Sequence, residues 1–400
     1  MNRIKIQSGA DRLLDESQWR ERLAGSRVGA VVNHTAVTGS YEFWPSLLAG
    51  RTGAGLELIF TPEHGLWGEQ QDQVASPATA ESELGARAVS LYLADPSSLR
   101  PDPSLMTGLD AVLFDIQDVG SRYYTYVYTL AFAMEAAAEA GVKVIVLDRP
   151  NPIGGTLVEG PLLNAGFESF VGRFAGLPAR HGLSAGELAL WFHKIHGIGQ
   201  KPEVITAKNW RREDTAFNYD CPWVLPSPNM PTPVTALAYP GMCLLEGTIL
   251  SEGRGTTRPF EIFGAPWLNP FDTARLLNSL ELPGVRFRPQ RFIPTFNKFE
   301  RELCGGCQLH VTDREAFRPF ITGAAVIWAA AKLDGEGSNF GWLERAYEFV
   351  EDIPAIDLLF GDSSFRLALD EGCDFDEVRG LCHLDEEAWM EQCGGVRLYQ

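Results

Sequence analysis

Five short, unbroken apolar runs punctuate the first 150 residues: Arg27–Asn33 (RVGAVVN), Leu56–Thr61 (LELIFT), Ala88–Leu93 (AVSLYL), Asp110–Ile116 (DAVLFDI) and Val142–Asp148 (VKVIVLD). A strand with one face in water alternates apolar and polar residues; these runs do not, so each is predicted to be buried on both faces. Between the last two, Val127–Ala140 is rich in alanine, and Gly141 follows where a helix end favours glycine, which predicts a βαβ unit. The expected fold is α/β, a Rossmann-like, mostly parallel sheet with helices on both faces. Near Gly264–Pro270 the alternation breaks and gives way to short strands, a helix near Phe317–Leu333 and an acidic tail. The sequence thus suggests a larger unit over residues 1–265 and a smaller C-terminal α+β domain over 266–400 that contributes to the same cleft.

Four of the strands run directly into polar segments: Asn33-His34-Thr35, Pro62-Glu63-His64-Gly65, Gln117-Asp118-Val119-Gly120-Ser121-Arg122 and Arg149-Pro150-Asn151-Pro152. Ligands of open parallel sheets bind outside the carboxyl ends of the strands, so these four segments are predicted to converge on one cleft. Two later loops, Pro226–Thr232 and Ser251–Phe260, are too rich in glycine, proline and polar residues for element interiors and are predicted to line it too.

Several chemistries are disfavoured. The glycine fingerprint of dinucleotide binding is missing after Arg27–Asn33, and there is no phosphate-binding lysine loop and no serine elbow, so no cofactor is expected. Cys304-Gly-Gly-Cys307 with His310 lacks a second ligand pair, and two buried thiols are the better reading. With 52 acidic against 34 basic residues the formal charge is −18, a field that repels nucleic acid and anionic membranes. No run reaches the length of a membrane span, Met1–Leu14 lacks the apolar core of a secretory signal, and seven cysteines fit a reduced chain, so a cytoplasmic location is expected. Nothing in the sequence addresses oligomeric state.

Glu63 is the strongest catalytic candidate. It sits on a rigid Pro-Glu-His-Gly tip after an apolar strand, where partial desolvation favours a protonated acid, although a surface turn would read similarly. The segment Asp115–Tyr126 gathers carboxylates, an amide, an arginine and aromatics, the groups a carbohydrate cleft uses, while Asp115 capping a turn and Tyr124 packing in the core remain alternatives. Ser251-Glu252-Gly253-Arg254-Gly255-Thr256-Thr257 resembles an anion cradle with Arg254 as its fork.

Taken together, these ordered motifs, from Val32-Asn33-His34-Thr35 through Thr61–Gly65, Phe114–Tyr126, Leu147–Pro152 and Pro226–Thr232 to Ser251–Thr257, resemble the exo-β-N-acetylmuramidase family of peptidoglycan-degrading glycoside hydrolases. The resemblance spans about Val28 to Pro294. It implies a Rossmann-like catalytic domain with a smaller C-terminal one, and release of N-acetylmuramic acid from the non-reducing end of a muropeptide or disaccharide. It makes Glu63 the catalytic glutamate, with Asp118 or Glu252 as second carboxylate; assistance by the substrate's own N-acetyl group is an alternative. Sugar contacts are expected from Asn33 and His64, from Asp115, Gln117, Arg122 and Tyr124, and from Arg149 and Asn151. The later loops add Asn229, Arg254 and Thr256, with Arg254 foremost for the lactyl carboxylate. His34 stands where relatives tend to have a small residue. The rivals are a non-catalytic muropeptide sensor and an ester or amide hydrolase using Ser227 or Cys221.

Overall fold

The computed structural model describes residues 4–71, 79–81, 83–335, 337 and 339–400. Within them the central sheet has seven strands: β1 (Arg27–Val32), β2 (Gly55–Thr61), β3 (Thr79–Glu81), β4 (Arg87–Ser90), β5 (Ala111–Asp115), β6 (Lys143–Leu147) and β7 (Glu203–Ile205). Their order is β7-β6-β5-β1-β2-β4-β3, and all neighbours are parallel except β3, which runs antiparallel along β4. The five apolar runs are its five inner strands. Ala88–Leu93 is shorter as a strand than as a run, because the Ser90 hydroxyl accepts from the Tyr92 amide and turns the chain out of the ladder.

Alternate residues explain why the runs are unbroken. Val31, Phe60, Val112, Phe114 and Val146 point to one face, against the helix Tyr126–Glu139 and the C-terminal part of the chain. Ala30, Val32, Ile59, Leu113 and Ile145 point to the other, against Leu13, Trp44 and Leu48 of the helices Gly9–Asp15 and Trp44–Thr52. Each large apolar side chain so covered contributes about 1.5–3 kcal/mol. The strand order reverses between β1 and β5, so the crevice falls where Asn33 and the segment after Asp115 leave the sheet.

The C-terminal part is built on a second, antiparallel sheet: β8 (Ile262–Ala265), β9 (Val285–Phe292) and β10 (Cys304–Val311), with β10 in the middle. β8 precedes the 265/266 division suggested by the sequence, yet it pairs with β10, so the antiparallel unit draws in residues from before that division. The helices Pro233–Met242 and Pro319–Asp334 touch backbone to backbone. A Cβ on Gly241 would lie 1.7 Å from the Pro319 carbonyl oxygen, and one on Gly323 2.0 Å from that of Gly241, so only glycine fits at either position.

Arg122 ties the two parts together. Its side chain is fully buried, with Nη1 donating to the carbonyls of Pro161 (2.9 Å) and Leu177 (2.7 Å), and Nη2 to those of Leu359 (2.8 Å) and Phe360 (3.0 Å). Every one of these acceptors is main chain, and burial pulls the guanidinium below its ordinary pKa. This corrects the expectation of a sugar contact. Arg122→Leu should cost about 3–5 kcal/mol, because four carbonyls lose charged donors at once, and Arg122→Lys should recover less than half of it. The denaturant midpoints of the two variants check this.

Asp148, just after β6, is a buried carboxylate with no cation bonded to it among the described residues. It accepts from Ser184 Oγ (2.6 Å), Tyr399 Oη (2.6 Å) and the Gly186 amide (2.8 Å), and burial pushes its carboxyl up to about 6 from 3.8. A raised carboxyl pKa means the folded chain holds the proton more tightly. Its contribution is therefore complete below the unfolded value near 4 and lost as pH rises through about 6. Asp148→Asn should remove that dependence: relative to the unmodified chain the variant gains on the order of 3 kcal/mol between about pH 4 and pH 7. Denaturation curves at the two pH values supply the test, and an unchanged difference refutes it.

Candidate active site

A cavity opens at the carboxyl end of the sheet. Its wall is drawn from four places in the chain: Glu63 and His64 after β2; Tyr124, Thr125 and Tyr126 after β5; Ser227 and Asn229; and Glu246, Arg254, Tyr347 and Glu348 from the C-terminal half.

The tip that carries Glu63 is held by its neighbours. Pro62 has no amide to continue the ladder, and His64 (φ 71°) and Gly65 (φ 82°) both take the left-handed conformation, with the Gly65 amide donating to the Pro62 carbonyl at 3.2 Å. For a histidine that conformation is strained, which is tolerated where the surroundings over-determine it. His64 Nδ1 donates to the Gln70 carbonyl (2.9 Å), and the ring meets Tyr126 edge-on. Glu63 itself is 6% exposed, and its Oε2 accepts from Thr125 Oγ1 at 3.0 Å. Tyr126 Oη donates to the Pro226 carbonyl (2.7 Å), tying in the Ser227–Asn229 loop. His34 Nε2 donates to the Leu225 carbonyl (2.6 Å) while its ring covers Gly68, where a Cβ would lie 2.2 Å from Cε1; it fastens two cavity loops to each other.

On the opposite wall charges alternate. Tyr347 Oη donates to Glu246 Oε2 (2.6 Å), Arg254 Nη2 to Glu246 Oε1 (2.8 Å), Arg254 Nε lies 3.4 Å from Glu252 Oε1, and Lys298 Nζ donates to Glu252 Oε2 (2.9 Å). Two carboxylates thus face two cations, so burying them together avoids the penalty of an uncompensated charge. Burial, reinforced by Glu246, keeps the Tyr347 phenol protonated well above its ordinary range, so it acts as a donor. Glu348 accepts from Tyr92 Oη at 3.2 Å.

Of the residues expected to act on or touch the sugar, Glu63, His64, Tyr124, Asn229 and Arg254 line the cavity and the others do not; Ser227, the rival hydrolase's candidate nucleophile, lines it as well. Asp115 and Arg149 face each other: Arg149 Nε and Nη2 grip the carboxylate at 2.5 and 2.7 Å, Trp44 Nε1 adds 2.7 Å, and Arg149 also reaches the Val37 carbonyl. Burial opposes both charges, but Asp115 holds Arg149 protonated above its ordinary range. Asn33 closes a turn over the Thr35 amide and hydroxyl (3.0 and 2.6 Å). Gln117 donates to the Asp118 and Pro150 carbonyls, Asn151 to that of Leu183, and Thr256 to that of Gly253. Arg122 is the staple between the two parts of the chain. Of the two carboxylates expected to pair with Glu63, Asp118 accepts from the Gly120 amide (2.7 Å) and lies 3.5 Å from His181 Nε2, and Glu252 belongs to the charge chain behind Arg254.

Thr125, Glu246, Tyr347 and Glu348 escape sequence reasoning. Glu246 does leave a trace, as a lone carboxylate inside the apolar stretch Met242–Leu250, where a charge must find a partner. Tyr347 and Glu348 leave none. Burial pushes the thiol of Cys221 up to about 11, which leaves it protonated and poorly suited to nucleophilic attack.

Comparison with known proteins agrees with the sequence motifs. The N-terminal region of the exo-β-N-acetylmuramidase NamZ family matches residues 28–234, and its C-terminal region matches 237–399. The peptidoglycan β-N-acetylmuramidase NamZ of Bacillus subtilis (strain 168) is 40% identical over 376 residues, 94% of this chain and 86% of that protein. Two crystal structures of DUF1343 family proteins from Bacteroides fragilis NCTC 9343 share the fold. One, 31% identical, superposes with a TM-score of 0.86 over all of both chains; the other, 28% identical, gives 0.75 over 99% of each. The chain belongs to the exo-β-N-acetylmuramidase NamZ family.

Proposed function

We propose that the chain is an exo-acting glycoside hydrolase that removes N-acetylmuramic acid from the non-reducing end of peptidoglycan fragments. The observation that carries this reading is Glu63, a nearly buried carboxylate on a rigid tip, facing a cavity walled by hydroxyl, amide and aromatic groups.

Glu63 gives its proton to the glycosidic oxygen as the C1–O bond breaks, and the leaving sugar departs as an alcohol. Positive charge builds at C1 and on the ring oxygen, close to the carboxylates of the facing wall. Water adds to C1 and loses a proton to a carboxylate, so that each turnover consumes one water. We assign the second carboxylate to Glu348 rather than Asp118 or Glu252, because Glu348 lines the cavity; Glu246 lines it too, but both its oxygens are engaged by Arg254 and Tyr347. Thr125, donating to Glu63 Oε2, orients the acid. Among the described residues no helix is long and apolar enough to cross a membrane, and all seven cysteines are free, four of them buried. Those thiols favour a reducing compartment, and we place the enzyme in the cytoplasm, acting on recovered wall fragments.

Glu63→Gln should leave the fold and substrate affinity intact while lowering kcat by about 10²- to 10⁴-fold. Release of free N-acetylmuramic acid from a chromogenic β-glycoside measures it, and near-normal turnover rules the assignment out.

Arg254 separates muramic acid from glucosamine, since only the former carries a lactyl carboxylate. Arg254→Ala should lower kcat/KM on the muramic substrate about ten- to a hundredfold and leave activity on the glucosamine analogue almost unchanged. A parallel fall on both substrates would mean that Arg254 supports the Glu246–Glu252 wall instead.

A further inference from the structure

A second, more open cavity adjoins the first and is lined by Leu99, Phe132, Phe170, Arg173, Phe349 and Val350. One residue, Glu348, lines both. It belongs to a two-residue hairpin turn in which Tyr347 and Val350 exchange amide-to-carbonyl bonds of 2.9 and 3.0 Å, with Glu348 (φ 45°) and Phe349 (φ 68°) both left-handed. Such a turn is normally made by Asn-Gly, which adopts it without strain. Here it carries a glutamate and a phenylalanine, and strain of this kind persists where it serves a site.

The turn delivers its two side chains to different places. Glu348 reaches the sugar cavity, steadied by the Tyr92 hydroxyl at 3.2 Å. Phe349 packs beside Tyr92 and Phe170 (centroids 5.8 and 6.3 Å apart) yet stays 37% exposed, forming an aromatic shelf. Across the cavity the Arg173 guanidinium lies 3.9 Å over the Phe132 ring. A pyranose presents an apolar C–H face that stacks on such rings, and an N-acetyl methyl packs there as well. When two adjoining cavities each take one sugar, the bond between the sugars lies at their seam, and Glu348 is the seam. Arg254, assigned to the lactyl group, lines only the first cavity, so the lactyl side faces away from the shelf.

We propose that this aromatic shelf receives the leaving-group sugar, an N-acetylated hexosamine β-linked to the muramic residue, and so sets the enzyme's preference for the group on the far side of the scissile bond. The proposal rests on the glycosidase reading of the first cavity. Two substrates separate the ideas: the natural disaccharide, whose second sugar reaches the shelf, and β-muramyl fluoride, whose leaving atom does not. Phe349→Gly removes the ring and also relieves the left-handed strain, so folding is preserved; Phe132→Ser alters the shelf from a different element. Each variant should raise KM for the disaccharide about tenfold, the worth of one aromatic contact, with fluoride hydrolysis unchanged. Equal losses on both substrates, or a loss on neither, overturn the shelf assignment. Failure of the unmodified enzyme to hydrolyse either substrate overturns the glycosidase reading itself.

Discussion

A guanidinium buried with no carboxylate bonded to it among the described residues is costly to keep, and this fold is organised around one. Arg122 directs its donors to four main-chain carbonyls, two at Pro161 and Leu177 and two at Leu359 and Phe360, the end of the helix Ala355–Phe360. Those acceptors converge only when the two halves of the chain are docked, so the charge is solvated by the assembled protein or not at all. The same residue lies three positions before Thr125 and four before Tyr126, both of which contact the working face of the site. Docking of the halves and placement of the acid's hydroxyl partner therefore have a common cause.

The electrostatics of the cavity obey similar logic. In a protein of charge −18, the sugar-binding site we propose needs a local arrangement of cations. The row Tyr347, Glu246, Arg254, Glu252, Lys298 alternates donors and acceptors, so Arg254 keeps its charge in a buried setting while the wall stays close to neutral. Lys298, which also bonds the Leu245 and Leu250 carbonyls, does not line that cavity and meets the row through Glu252.

Much of the architecture is legible in the chain itself. Unbroken apolar runs identify the inner strands because a two-sided burial leaves no polar positions, and Glu63 stands out because a carboxylate on a proline-stopped strand end has few structural uses. Asp115 and Arg149 mislead for a physical reason: a polar residue at a strand end reads alike whether it faces a cavity or a partner on the adjacent strand. Here β5 and β6 are neighbours, and the opposite charges at their ends neutralise each other. Glu348 lies beyond the reach of sequence reasoning, since its role depends on a hairpin that meets the sheet domain only through tertiary packing.

The contact between Gly241 and Gly323 bears on how the C-terminal unit supports the cavity wall. Two helices that touch through bare backbone have no side chains to slide over one another, and any tilt of one drives it into the other's carbonyls. Both glycines lie in the stretch that the family's C-terminal region matches, so the two helices are locked against each other within that unit. The helix Pro233–Met242 runs directly into the turn that carries Glu246, so that part of the cavity wall stands on a fixed support and its geometry is set during folding instead of at each encounter.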